Sequence, residues 1–184
     1  MATGRHIALL RGINVGKAKR VAMADLKKVA ESLGHREVRT LLNSGNMVFT
    51  ARAGKPEAIG RALERAIEST LGVASRVTVL TADELEAIAR ANPLVKQATD
   101  PTRLLVTFLA DAALGARLSG VGKAKWKPEA FALGERAAYI WCPPGQLESP
   151  LAKAVFKALG DGATSRNWAT IEKLRALVSN PPKA

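Results

Sequence analysis

Three short segments of this sequence hold the side chains that could do chemistry. The first is Arg11-Gly12-Ile13-Asn14-Val15-Gly16-Lys17, between an apolar run and a helical pattern. A strand that leads through glycines into a helix can turn backbone N–H groups and a lysine toward an anion. Gly12 and Gly16 would permit the backbone angles this needs. The spacing is neither a Walker A loop nor GxGxxG, and a plain strand-to-helix connection with basic decoration also accounts for it. The second is Asn43-Ser44-Gly45-Asn46. Ser44 and Asn46 offer a hydroxyl and an amide to a ligand, although all four are ordinary hairpin-turn residues. The third is Thr164-Ser165-Arg166-Asn167-Trp168, ahead of a helix with Ile171, Leu174 and Leu177 on its core stripe. Asn167 suits an N-cap, Arg166 adds a fork that matches carboxylate or phosphate, and Trp168 reads as a packing anchor.

No standard catalytic group assembles from the remaining polar residues. His6 lies in an apolar run and His35 follows a helix stop, and neither has a carboxylate partner by sequence. Cys142, beside Pro143-Pro144, reads as a small strand-end residue with no visible base. Ser44 and Ser149 lack the setting of a nucleophile elbow. Asp83, Glu84 and Glu86 fit the first turn of a helix, where the dipole favours acids. Two histidines and one cysteine leave no transition-metal set, and no metal or cofactor is expected.

These segments sit on a strongly basic chain. The 184 residues carry 28 Lys or Arg against 16 Asp or Glu, a formal charge of +12. The charge is spread along the sequence, with two denser stretches. Arg11–Lys28 holds six basic residues against Asp25, and Arg117–Lys127 holds Arg117, Lys123, Lys125 and Lys127 against no acid. Such faces attract phosphate or nucleic acid, or merely solubilise. Aromatics at 4% argue against a wall of stacked bases. One cysteine excludes an intrachain disulfide framework. No run reaches the 18 or so apolar residues of a membrane helix. Met1–Gly4 leads directly into an apolar strand pattern, so a cytoplasmic protein without a secretory leader is expected.

The elements that must position the segments follow from periodicity. His6–Arg11, Val38–Asn43, Asn46–Thr50 and Arg76–Leu80 read as strands. Between them, Met23–Leu33 and a helix opened by Pro56 and closed by Gly72 have apolar residues at helical spacing. The order is β-α-β-β-α-β, the split βαβ of ferredoxin-like folds. A helix Ala82–Ala91 and a linker at 92–102 follow, and the same order restarts. Arg103–Leu109 is a strand, and a short helix over Ala112–Leu118 stops at Ser119-Gly120. Ala130–Leu133 and Ala138–Trp141 form a hairpin. Ser149-Pro150 opens a helix to Leu159, Ala163–Ser165 is a last strand, and Trp168–Val178 a final helix. The expected fold is α+β, a tandem duplication of ferredoxin-like subdomains with antiparallel sheets. The subdomains are placed at 1–82 and 100–184, joined by a connecting helix and linker at 83–99.

At the three segments the chain resembles the uncharacterised bacterial family known as domain of unknown function 1697. The resemblance rests on Ile7–Gly16 (IALLRGINVG), Met23–Leu26 (MADL), Val38–Phe49 (VRTLLNSGNMVF) and Thr164–Leu174 (TSRNWATIEKL). Lys17 stands where many members have glycine, and Leu42-Asn43 replaces a common Ile-Gln. The resemblance implies two ferredoxin-like halves and supplies no reaction, substrate or cofactor. Its signature residues fall mostly on loops, where family-marked positions point to function more than core positions do.

These readings lead to an anion-binding protein whose partner is nucleic acid or a phosphorylated small molecule. Arg11, Lys17 and Arg166 would supply charge, and Asn14, Ser44, Asn46 and Asn167 orientation. The alternatives are a small transferase or hydrolase acting on a phosphorylated or carboxylated metabolite, or a protein-interaction module. No membrane partner is expected, and monomer and homodimer both remain open.

Overall fold

A computed structural model describes residues 3–15, 19–52 and 54–180. The chain divides into two compact units, Met1–Leu85 with Leu174–Ala184, and Glu86–Lys173.

In the first unit, β1 (Thr3–Leu10), α1 (Met23–Ser32), β2 (Arg36–Leu41), β3 (Asn46–Arg52), α2 (Pro56–Leu71) and β4 (Val77–Thr81) follow in order. The strands form one antiparallel sheet in the order β2-β3-β1-β4, the ferredoxin-like arrangement. Alternation along β1 and β3 sends Ala8, Leu10, Met47, Phe49 and Ala51 to one face. The helical stripes Leu26-Val29-Ala30 and Ile59-Leu63-Ile67 cover that face. Gly60 allows α2 to lie close on β4, because a Cβ there would meet the Val77 carbonyl oxygen at 2.9 Å. Gly72, at φ 66°, ends α2 in the left-handed conformation. The C-terminal segment of the chain joins this unit through Arg5, which donates to the Val178 carbonyl, and Arg39, which donates to that of Asn180 at 3.2 Å.

The helix α3 (Ala82–Arg90) opens with a capping box. Thr81 Oγ1 accepts from the Glu84 amide at 3.1 Å, and Glu84 Oε2 accepts from the Thr81 amide at 2.8 Å. The second unit then runs β5 (Leu104–Leu109), α4 (Ser119–Lys123), β6 (Ala130–Leu133), β7 (Ala137–Trp141), α5 (Pro150–Leu159) and β8 (Ala163–Asn167), with α6 (Trp168–Ser179) after it. Its antiparallel sheet has the order β6-β7-β5-β8, the same arrangement again. The expected α+β duplication is therefore present. Its core packs Leu105, Leu109, Ala138 and Ile140 against Leu151, Val155 and Leu159 of α5.

One element departs from the sequence reading. Ala112–Leu118 is a 3-10 turn, and Ser119-Gly120 begins α4 instead of ending a helix. Asp111 caps the turn by accepting from the Ala113 amide at 2.9 Å, and Leu118 is fully buried directly before Ser119. That apolar anchor holds the chain against the core and lets it continue through a Ser-Gly pair. Among the described residues no helix is long and apolar enough to cross a membrane.

Both histidines flank Phe49 in the first unit. The His6 ring stacks on it with centroids 5.9 Å apart, and the His35 ring lies at 4.5 Å. His35 Nε2 is buried with no hydrogen-bond partner among the described residues. Burial, and secondarily the nearby His6, lower the His35 pKa from its usual 6.5. The unfolded chain therefore binds this proton more readily than the folded one, and stability falls as pH drops below 6.5. Thermal melts between pH 7.5 and 5 should show a declining Tm, and His35→Phe should flatten that decline. Parallel wild-type and His35→Phe profiles would refute this role for His35.

Candidate functional site

Where β1 ends, the chain enters the loop that carries the first signature segment. Gly12 and Asn14 both take left-handed backbone angles, φ 66° and 55°. Asparagine tolerates this region better than most side-chain-bearing residues, because its amide can bond locally. Asn14 uses the whole of its amide. Its Oδ1 accepts from the Val21 amide at 2.9 Å, and its Nδ2 donates to the Val21 carbonyl at 2.9 Å and to the Asn43 carbonyl at 2.7 Å. The Asn14 backbone N–H adds a bond to the Lys19 carbonyl at 3.0 Å. The loop is thus closed on itself from 14 to 21 and tied to the turn between β2 and β3.

That turn is closed in the same way. Asn46 is fully buried, and its Nδ2 donates to the Leu41 carbonyl at 2.8 Å and to Ser44 Oγ at 2.9 Å. Gly45, at φ 79°, accepts from the Leu10 amide at 2.8 Å. A Cβ on Gly45 would lie 2.7 Å from both Ile13 Cδ1 and Leu10 Cβ, so the turn packs directly on the loop. Two segments some thirty residues apart in sequence therefore form one interlocked surface.

The predicted residues divide on this geometry. Arg11, Asn14, Ser44 and Asn46 come together in the first unit. Asn14 and Asn46 spend their amides inside the chain, while Arg11 is half-buried and Ser44 exposed. Lys17 lies outside the described residues. The loop also presents Lys19 and Arg20, both exposed, with Lys19 Nζ donating to the Ala74 carbonyl at 2.9 Å. Arg166 and Asn167 belong to the second unit. Asn167 Oδ1 caps α6, accepting from the Thr170 amide at 2.9 Å and from Thr170 Oγ1 at 2.7 Å. Trp168 is buried and donates to Glu172 at 3.1 Å. The Arg166 guanidinium donates to the Ser165 carbonyl at 2.8 Å, and desolvation pushes its pKa down to about 10, so it stays charged at neutral pH.

Cys142 is fully buried after β7 and donates to the Arg103 carbonyl at 3.0 Å. Burial and, next, the charge of Glu129 push its thiol up to about 11, opposed by Arg103, which leaves it a poor nucleophile. Among the described residues no three His, Cys, Asp or Glu side chains gather as metal ligands. A groove in the second unit, beside Trp126 and Glu129, is not apparent from the sequence. Only the basic run ending at Lys127 marks its place. The buried position of Glu129 depends on a contact 22 residues away and has no local signature.

Removing the Asn14 amide should open both loops. Asn14→Ala leaves the Val21 amide and carbonyl and the Asn43 carbonyl without their partner, and strains the backbone, at a cost of about 2–4 kcal/mol. Asn14→Gly keeps the left-handed backbone, so in urea melts it should recover part of that loss and no more. Wild-type stability in Asn14→Ala would contradict the assignment.

Comparison with known proteins agrees with this architecture. The family described as "Protein of unknown function (DUF1697)" matches residues 3–139, which include both interlocked segments. The chain is similar to the structure of the conserved bacterial protein SP0830 from Streptococcus pneumoniae, with 24% identity and a TM-score of 0.79. The match covers 96% of this chain and 99% of that one, and at this identity it speaks for the fold alone. No curated protein matches the chain. With the family match spanning most of the sequence, from the start of β1 into β7, the chain belongs to the DUF1697 family.

Proposed function

We propose that the protein binds a phosphate-bearing ligand on the interlocked loops of its first unit. The observation that supports this is a basic segment fastened at Asn14, which bonds to Val21 and to the Asn43 carbonyl. Arg11, Lys19 and Arg20 lie beside these fastened points, in the same unit as the exposed Ser44. Fastening of this kind lowers the entropy cost that a free basic segment meets on binding. In this reading Asn14 and Asn46 position the site, and the contacts fall to Arg11, Arg20 and the Ser44 hydroxyl. Val15, 71% exposed, and Leu42, 47% exposed, flank the same loops and favour a second reading, a contact surface for another protein.

Fluorescence titration against RNA, single-stranded DNA and nucleotides across salt tests the proposal. Arg11→Ala and Arg20→Ala should each weaken binding by roughly tenfold, the loss of one charge-assisted hydrogen bond. A nucleic-acid ligand should show affinity falling steeply with salt, and a small phosphorylated ligand a shallower dependence. Absence of saturable binding at low salt, or binding indifferent to both substitutions, would refute it. Concentration-dependent dimers lost in Leu42→Ser would favour the protein-contact reading.

A further inference from the structure

The second unit contains a groove of about 710 Å³ walled by Trp126, Pro128, Pro143 and Pro150, with Lys125 and Lys127 at its side. Both lysines are exposed and form no ion pair among the described residues. Two prolines that line the groove, Pro144 and Pro150, bracket the turn between β7 and α5. Leu147, at the middle of that turn, is 80% exposed, more than any other large apolar side chain among the described residues. Glu148 beside it is exposed too and forms no ion pair among the described residues.

The chain holds Leu147 out of its own groove. The Gly145 carbonyl accepts from the Glu148 amide at 3.2 Å and from the Ser149 amide at 3.0 Å, and the Gly145 amide donates to the Cys142 carbonyl at 2.8 Å. Ser149, fully buried, caps α5 by accepting from the Ala152 amide at 2.8 Å. Both ends of the turn are thus fastened, and the leucine stays at its tip. A lone exposed leucine needs no explanation. This one continues an apolar patch through the exposed Pro144 and Pro150 into the groove, and contiguous apolar surface of that kind marks a contact site. A side chain on a fastened turn also loses less freedom on burial than one on a free loop.

The second unit therefore carries a projecting Leu-Glu pair and, next to it, an apolar groove flanked by lysines. A two-fold interface uses the same patch on both copies, so the patch must hold a projection and its receptor together. We propose that two copies of the chain associate through this surface, Leu147 of each entering the groove of the other and Glu148 meeting Lys125 and Lys127. The charges select the second copy as occupant. The groove calls for an apolar side chain beside an acid, and Leu147-Glu148 is such a segment on the same surface. The surface lies wholly within the second unit, so it stands or falls separately from the phosphate-binding loops and from the contact at Leu42.

Sedimentation of the full chain at rising concentration tests the proposal. The wild type should pass from monomer to dimer. Leu147→Ser should weaken the dimer by roughly a hundredfold, because a two-fold interface loses the leucine twice. Glu148→Lys alone, and Lys125→Glu/Lys127→Glu alone, should weaken it too, since each sets like charges together at both symmetric positions. Mixing these two variants should restore dimers, because in the mixed pair every contact again joins opposite charges. A folding defect would not be repaired by mixing, and all four positions are exposed. A wild type that stays monomeric up to about millimolar concentration assigns the groove to an unlike partner and overturns the proposal. Wild-type affinity in Leu147→Ser, or no recovery on mixing, overturns it as well. Dimers lost in Leu42→Ser but kept in Leu147→Ser would put the contact on the first unit and count against it in the same way.

Discussion

One side-chain amide organises the most distinctive part of this protein. Asn14 makes hydrogen bonds to both sides of its own loop and to the turn between β2 and β3. It does so from a backbone conformation that few residues other than asparagine and glycine adopt readily. The partner turn has the same design: the fully buried Asn46 closes it, and Gly45 leaves no room for a side chain against Leu10 and Ile13. These amides fasten two polar segments at the end of a sheet to each other, and the basic residues Arg11, Lys19 and Arg20 lie beside them.

The two units show how one topology is reached by different local means. The first connects its strands through helices of 10 and 16 residues with clear apolar stripes. The second replaces its first helix with a 3-10 turn and a five-residue α4, yet keeps the same strand order. Strand pairing and the apolar faces of the sheet decide the fold, and the first crossover only has to cover the sheet. Leu118 packs that short crossover on the core together with the partly buried Leu114 and Val121.

The strands, the helices other than α4 and several caps were legible in the sequence because each is a local pattern. Ser149 ahead of Pro150, Asn167 ahead of α6, and Gly72 after α2 all act as their residue types suggest. The site was less legible because its defining contacts are tertiary. Asn14 meets Val21 and Asn43, seven and 29 positions away, and Glu129 meets Leu151, 22 positions away. A polar residue on a loop looks alike in sequence whether it faces a ligand or fastens the loop. Asn14, Asn46 and Asn167 all have fastening bonds within the chain, which shifts attention to the charged groups they position.

Asn14 locks its loop, and hydrogen exchange at the Val21 amide tests this most directly. Val21 lies outside every strand and helix, and its N–H bonds to Asn14 Oδ1. The Val21 amide should be protected in the wild type and exposed to exchange in Asn14→Ala, while Leu80 within β4 stays protected in both. A Val21 amide that exchanges at the unstructured rate in the wild type, or keeps its protection in Asn14→Ala, would contradict it.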